Sequence, residues 1–259
     1  MKKLIFTFFF LIGTLVLVYA QYKVDSMCGA KVNLDNSGKL LARYMPQKPG
    51  AAYEKVVQQA VNFWKNCPLS PTNHLPLYLT HCSMYRDGKG GFFGSDWPHN
   101  PIVVNGGIVQ SLAIDWRNFT GDESMISIAC LALDHQLKYG TTPSNWEWAS
   151  VPYASSEAGE IIYDGASKFD TARTEENIGR GDGSYALEVD KIGEMGIHYL
   201  KFYQITSEKK YLEAAIQCAD ALAKRVRKGK SDNKGLYWPT LKITSPWPFR
   251  VKAEKGEVT

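Results

Sequence analysis

The feature that most constrains this chain is a turn between two apolar helices that occurs twice. Thr206 lies 86 positions after Thr120, and each threonine precedes an acidic residue by two positions, Asp122 in the first copy and Glu208 in the second. Apolar residues recur at helical spacing before and after both turns. They are Val109, Leu112, Ala113, Trp116, Ile126, Ala129, Cys130, Leu133 and Leu137 in the first copy, and Ile192, Met195, Tyr199, Leu200, Tyr203, Leu212, Ala215, Ile216, Ala219 and Ala223 in the second. The repeat unit is therefore predicted to be an αα-hairpin in which both helices bury an apolar stripe.

The turns also contain the chemistry that begins a helix. A Thr or Ser side chain before a helix supplies an oxygen that accepts hydrogen bonds from the free amides of that helix. The acidic residue that follows places negative charge at the positive end of the helix dipole. Because Asp134 and Asp220 occupy equivalent positions in the two copies, we expect a structural role for both. The pattern predicts helices over residues 53–64, 107–119, 122–139, 188–205 and 208–227. Pro and Gly punctuate residues 75–105, which predicts irregular structure with at most brief strands.

The predicted fold is all-α, and the length of the repeat argues against a superhelical array of short repeats. Common helical arrays have units of about 33 to 47 residues, whereas the two turns here are 86 positions apart. Long insertions rich in Gly and aromatic residues separate the hairpins. This organisation favours a closed or partly closed ring of hairpins.

Four segments resemble the six-hairpin glycosidase-like superfamily, the α/α toroids of many secreted bacterial carbohydrate-active enzymes. They are Phe119–Glu123, Asp182–Glu194, Thr206–Leu212 and Ser245–Arg250, and the resemblance covers roughly residues 50–250. It implies an α/α toroid of helical hairpins. Since six hairpins contain twelve helices and about five are predicted here, we expect an incomplete toroid with long irregular loops, the N-terminal portion of a longer enzyme or a truncated product. The expected domains are a signal peptide over 1–20, a polar extension over 21–50 and the partial toroid over 51–259.

The first twenty residues predict export. Lys2 and Lys3 precede an apolar run over 4–18, and Val18-Tyr19-Ala20 forms a cleavage site, which is typical of a signal peptide cut near Ala20. The run is shorter than the roughly 20 residues of a membrane span. The expected location is therefore periplasmic or secreted, with no stable membrane anchor. The net charge falls from +4 to +2 when the two signal lysines are removed, which disfavours a nucleic-acid partner.

Four acidic residues are candidates for catalysis. The resemblance implies glycoside hydrolysis, in which one carboxylic acid protonates the leaving oxygen and a second carboxylate activates water or attacks the sugar. Asp182 lies in a glycine turn, Glu188 and Asp190 lie at a predicted helix start, and Asp96 lies in the glycine-rich loop 87–99. We expect at least two of them to converge in one concave site. The alternatives are helix-end electrostatics for Glu188 and Asp190 and ordinary Asp-Gly turn chemistry for Asp182.

Aromatic residues and one histidine outside the helices are candidates for sugar binding. Such rings can stack on a sugar face, although filling the core explains any one of them equally well. The candidates are Trp97, His99, Trp146, Trp148, Tyr153 and Trp238. The histidines lack a third ligand at suitable spacing, so no metal and no cofactor are expected.

These observations predict an exported carbohydrate-active enzyme, a glycoside hydrolase that acts on a polysaccharide or oligosaccharide through paired carboxylates. Two alternatives remain open at this point. One is a polysaccharide lyase on the same scaffold, in which Tyr or His is the base and a cation neutralises a uronate. The other is a non-catalytic protein that binds carbohydrate or a partner through part of a ring.

Overall fold

The computed structural model describes residues 26–27, 30–31, 35–38, 51–169, 183–226 and 250–252. The chain forms two compact units, Met1–Asn62 and Phe63–Thr259. In the first unit, β1 (Ser26–Met27) pairs antiparallel with β2 (Ala30–Lys31), and α1 (Ala51–Lys65) begins in this unit and ends in the second. The predicted signal peptide lies outside the described residues.

The second unit is built mainly of helices. The elements are β3 (Met84–Arg86), β4 (Phe92–Gly94), α2 (Pro101–Gly107), a π-helical segment (Ile108–Trp116), α3 (Arg117–Thr120), α4 (Ile126–Tyr139), β5 (Ala186–Glu188), α5 (Val189–Thr206), α6 (Lys209–Lys224) and β6 (Arg250–Lys252). β3 pairs antiparallel with β4, and β5 pairs antiparallel with β6. The prediction of an all-α fold made of helical hairpins is confirmed.

The two repeated turns have the same hydrogen bonds. The hydroxyl of Thr120 donates to the carbonyl of Trp116 at 2.7 Å and accepts the backbone N–H of Asp122 at 3.1 Å. The second hairpin repeats both bonds with Thr206, Phe202 and Glu208, at 3.0 and 3.3 Å. The duplication predicted from the sequence is therefore confirmed, because both turns form equivalent hydrogen bonds.

The next position of each turn adopts the left-handed backbone. Gly121 has φ +75° and closes α3, and Ser207 has φ +59° and closes α5. A residue with this backbone ends the helix, and its own N–H donates to a carbonyl of the last helical turn that would otherwise lack a partner. The threonine hydroxyls thus end the first helix of each hairpin, and they do not cap the second helix as the sequence pattern predicted.

The helical run over 101–120 begins six residues before its predicted start. The side chain of Asn100 accepts the N–H of Val103 at 3.4 Å, and Pro101 occupies the first helical position. Proline is compatible with this position because the first amides of a helix have no partner within it. The prediction of irregular structure up to residue 105 was wrong because Asn-Pro begins a helix here.

The middle of the same run is wound as a π-helix over nine residues. Gln110 donates from Nε2 to Asp115 Oδ1 at 2.9 Å, a bond between side chains five positions apart. The stripe predicted on this run, from Val109 to Trp116, is buried as expected.

The two hairpins pack against each other within the second unit. α5 packs along α6, and it also contacts α2 and the π-helical segment. Lys201 on α5 donates to Gln110 at 2.7 Å. Asp134 on α4 accepts the hydroxyl of Tyr211 on α6 at 2.8 Å and the ammonium of Lys210, which confirms the structural role predicted for Asp134.

The apolar stripe predicted on the second hairpin is buried in part, since Ile192, Met195 and Tyr199 are buried as expected. Leu200 and Ile216 are 42% and 49% exposed, although the pattern placed both in the core. The buried face also holds three aromatic rings, two of which contact the third. They are Tyr199, Phe202 and Tyr211, with ring centroids 5.0 and 6.5 Å apart for the two pairs that include Tyr211. Apolar residues occur on both faces of these helices, so spacing alone did not identify the face that packs.

The region over 75–100 is irregular with one short hairpin, β3 to β4, as predicted, and a 3₁₀ turn over Leu77–Leu79. Cys67 and Cys82 are free thiols, each near a different partner, Met84 for the first and Ser95 for the second. Among the described helices, none combines the length and the apolar character that a membrane span requires.

Candidate active site

Three segments of the second unit lie side by side and are joined through their main chains. The backbone of His99 donates to and accepts from Ser156, at 2.9 and 3.0 Å. Gly165 donates to the carbonyl of Ser155 at 3.0 Å, and Tyr185 donates to the carbonyl of Asp164 at 2.6 Å. We call residues 94–99, 153–168 and 183–188 the loop platform. Two segments that hold predicted site residues, around 96 and around 188, therefore belong to one surface.

A close backbone crossing holds the second and third segments together. Gly165 has φ +102°, and a Cβ atom at this position would overlap the carbonyl oxygen of Gly183. Only glycine adopts this backbone and permits this approach. The glycine turn singled out in the sequence is thus packed, at Gly183, against the dipeptide Asp164-Gly165. Asp182 itself lies outside the described residues.

The carboxyl group of Asp164 has a raised pKa. Burial raises the pKa of its carboxyl group, and the neighbouring charges of Glu157 and Glu160 raise it further. A carboxyl group whose pKa is raised holds its proton to a higher pH, and it can then donate that proton to a leaving group. Sequence reasoning missed Asp164, although the dipeptide Asp164-Gly165 repeats the Asp-Gly pattern that drew attention to Asp182-Gly183.

Glu157 is fixed in place next to this acid in the same segment. Its Oε1 atom accepts hydrogen bonds from both the backbone N–H and the hydroxyl of Ser167, each at 2.6 Å. The side chain of Glu157 is half-buried. The two carboxyl groups lie in the same segment, and the charge of Glu157 contributes to the raised pKa of Asp164.

The predicted acids occupy different environments. Asp96 is exposed in the first segment, and Asp190 is exposed in the first turn of α5. Glu188 is buried, and it lies at a helix start as predicted, because it ends β5 and occupies the N-cap position of α5. The convergence of these carboxylates in one cleft stays a prediction.

The predicted sugar-binding residues divide into exposed and buried groups. Trp97 is 47% exposed, with the ammonium of Lys168 5.0 Å from its ring centroid, and Trp146 is half-buried. His99, Trp148 and Tyr153 are buried, and Trp238 lies outside the described residues. Contact of a ligand with the three buried side chains would require a rearrangement of the surrounding loops.

His99 is the last residue of the first platform segment. It is fully buried, and within the described residues neither of its ring nitrogens has a hydrogen-bond partner. Burial, together with the charges of His81 and His135, lowers the pKa of His99 to about 3. The ring packs edge-on against Tyr163, 5.5 Å between centroids. The described residues contain no group of three or more His, Cys, Asp or Glu arranged to hold a metal ion.

Two solved structures with a partial likeness to this chain are family 76 glycoside hydrolases. One is from a bovine Bacteroides thetaiotaomicron strain, with a TM-score of 0.36 and 17% identity, covering 64% of this chain and 30% of that chain. The other, described as a mannosidase, is from Bacteroides thetaiotaomicron VPI-5482, with a TM-score of 0.36 and 14% identity, covering 66% of this chain and 38% of that chain. The chain thus spans between 30% and 38% of the length of these proteins. No protein-family model and no curated protein matches the sequence.

Proposed function

We propose that this chain forms part of an exported carbohydrate-active enzyme that hydrolyses glycosidic bonds at the loop platform. The observation that supports this proposal is the carboxyl pair of Asp164 and Glu157, in a loop bordered by the exposed rings of Trp97 and Tyr185. Export is proposed from residues 1–20, and assembly of the hairpins into a ring is proposed from their duplication.

In the proposed reaction, Asp164 donates its proton to the oxygen of the leaving sugar while the carbon–oxygen bond breaks. A carboxylate on the other side of the sugar attacks the anomeric carbon or removes a proton from the attacking water. Glu157 is our first assignment for this second role, because Ser167 holds one of its oxygens. Asp182 and Glu188, at the third segment, are the next candidates, followed by Asp96 and Asp190.

The test is substitution of Asp164 by Asn in the full chain. Asn has nearly the same shape and still forms the turn, so folding and sugar binding should be retained. Loss of a general acid should lower the rate of hydrolysis by at least about 100-fold. The rate is measured as release of reducing ends from neutral polysaccharides and from polygalacturonate.

Asp87→Asn is the matched control, because Asp87 also precedes a glycine in a turn but lies outside the loop platform. Its rate should equal that of the wild type. A wild-type rate for Asp164→Asn would remove Asp164 from the site, and Glu188→Gln and Asp182→Asn would then be tested. Unsaturated products would show a lyase, and binding of sugar without any turnover would show a non-catalytic protein.

A further inference from the structure

An aromatic pair stands beside Asp164 without belonging to the core. Tyr185 is 47% exposed, and Trp146 is half-buried. The two rings meet edge to face, with centroids 5.6 Å apart and planes at 79°. Both side chains are partly accessible to solvent, and we call this pair the aromatic corner.

The main chain holds Tyr185 in an unfavourable conformation. Its φ is +58°, in the left-handed region, where a bulky side chain is a true outlier. The N–H of Tyr185 donates to the carbonyl of Asp164, and the crossing at Gly165 fixes the residues just before it. Glycine would adopt this backbone at no steric cost. Strained residues of this kind concentrate at functional sites. Because the side chain of Tyr185 is only about half buried, packing in the core does not explain the strained backbone.

We propose that the aromatic corner, Trp146 with Tyr185, binds an uncharged pyranose ring next to Asp164. This inference rests on the proposed function, since it assumes that a sugar is brought to that carboxyl group. Sugar rings have an apolar C–H face, and an exposed aromatic ring offers matching apolar area. The strained backbone of Tyr185 sets the direction in which its ring projects from the platform.

The charges around the corner favour a neutral sugar over a uronate. The second segment of the platform has three acids, Glu157, Glu160 and Asp164, and its one cation is Lys168. The ammonium of Lys168 lies over Trp97, at the first segment. A sugar carboxylate placed beside Asp164 would therefore meet the like charges of Glu157 and Glu160, which costs free energy.

Binding and stability are measured separately to test the corner. The full chain and the variants Tyr185→Phe, Tyr185→Ala and Tyr185→Gly are titrated with α-mannan, xylan and starch oligosaccharides and with oligogalacturonate. At least one neutral oligosaccharide should bind. Tyr185→Ala and Tyr185→Gly should raise its dissociation constant about tenfold, while Tyr185→Phe, which keeps the ring, should bind nearly as the wild type does.

Thermal unfolding then measures the cost of the left-handed backbone at Tyr185 separately from sugar binding. The Ala and Gly variants both lack the ring, so the Gly variant should unfold about 2 to 4 °C above the Ala variant because it alone relieves the left-handed backbone. Ser207→Gly is the matched control, since Ser207 has φ +59° at the end of α5. It should relieve strain without changing sugar affinity.

Three outcomes would overturn the inference. They are wild-type affinity in Tyr185→Gly, absence of binding to every neutral oligosaccharide, and tighter binding of oligogalacturonate than of neutral sugars. Failure of the proposed function is distinguished from these by Asp164→Asn. If that variant hydrolyses normally while Tyr185→Ala binds weakly, the corner is a sugar subsite and the acid has been assigned wrongly.

Discussion

A neutral histidine in the core should make stability depend on pH. His99 is fully buried, and its pKa is lowered to about 3 from the ordinary value of about 6.5. The unfolded chain therefore binds a proton more readily than the folded chain does. The contribution of His99 is fully present above pH 6.5 and is lost as the pH falls from there towards 3, by about 1.4 kcal/mol for each pH unit in that window.

The measurement is thermal unfolding of the wild type and of His99→Phe between pH 7 and pH 4. Phe keeps an aromatic ring against Tyr163 and has no proton to bind. Its unfolding midpoint should fall less steeply with acidification than that of the wild type. Parallel curves would mean that His99 is solvated or hydrogen-bonded in the folded protein.

At the scale of the element, the two hairpin turns allow opposite substitutions at equivalent positions. Gly121→Ala places a Cβ at φ +75°, where no other atom lies within 4 Å, so its cost is that of the backbone alone. We expect a loss of about 1 kcal/mol in the free energy of unfolding. Ser207→Gly should gain about 0.5 kcal/mol, because relief of the same conformation is offset in part by the entropy of glycine. Urea unfolding measures both, and effects of equal sign would contradict the shared turn geometry.

Local sequence patterns predicted most helices but only part of the candidate site. α4, α5 and α6 were identified by spacing and turn residues, which are properties of neighbouring positions. The start of the run at Asn100 was missed because proline both breaks and begins helices. Asp164 was missed for a different reason: its environment depends on the contact of Gly165 with Gly183, a pairing across 18 positions that no local pattern contains.

For the whole molecule, the position of the core determines which truncations matter. Phe202→Ala removes a fully buried ring and should cost about 3 to 5 kcal/mol of unfolding free energy. Leu200→Ala, two positions away on α5, removes a side chain that is 42% exposed and should cost less than about 1 kcal/mol. Denaturant unfolding of both variants checks this contrast. Equal costs would mean that Leu200 is covered by residues outside the described part of the chain.

The crossing at Gly165 also bears on how such a site can change over generations. The N–H of Tyr185 donates to the carbonyl of Asp164, and the N–H of the adjacent Gly165 donates to the carbonyl of Ser155. The position of Asp164 therefore depends little on which side chains surround it. In the proposed enzyme, substitutions at neighbouring positions of the platform could therefore change the sugar that is bound while Asp164 keeps its position. The tolerance ends at Gly165, where any side chain would force the two segments apart. In the proposed enzyme, sugar specificity and retention of the acid thus depend on different positions of the same loop.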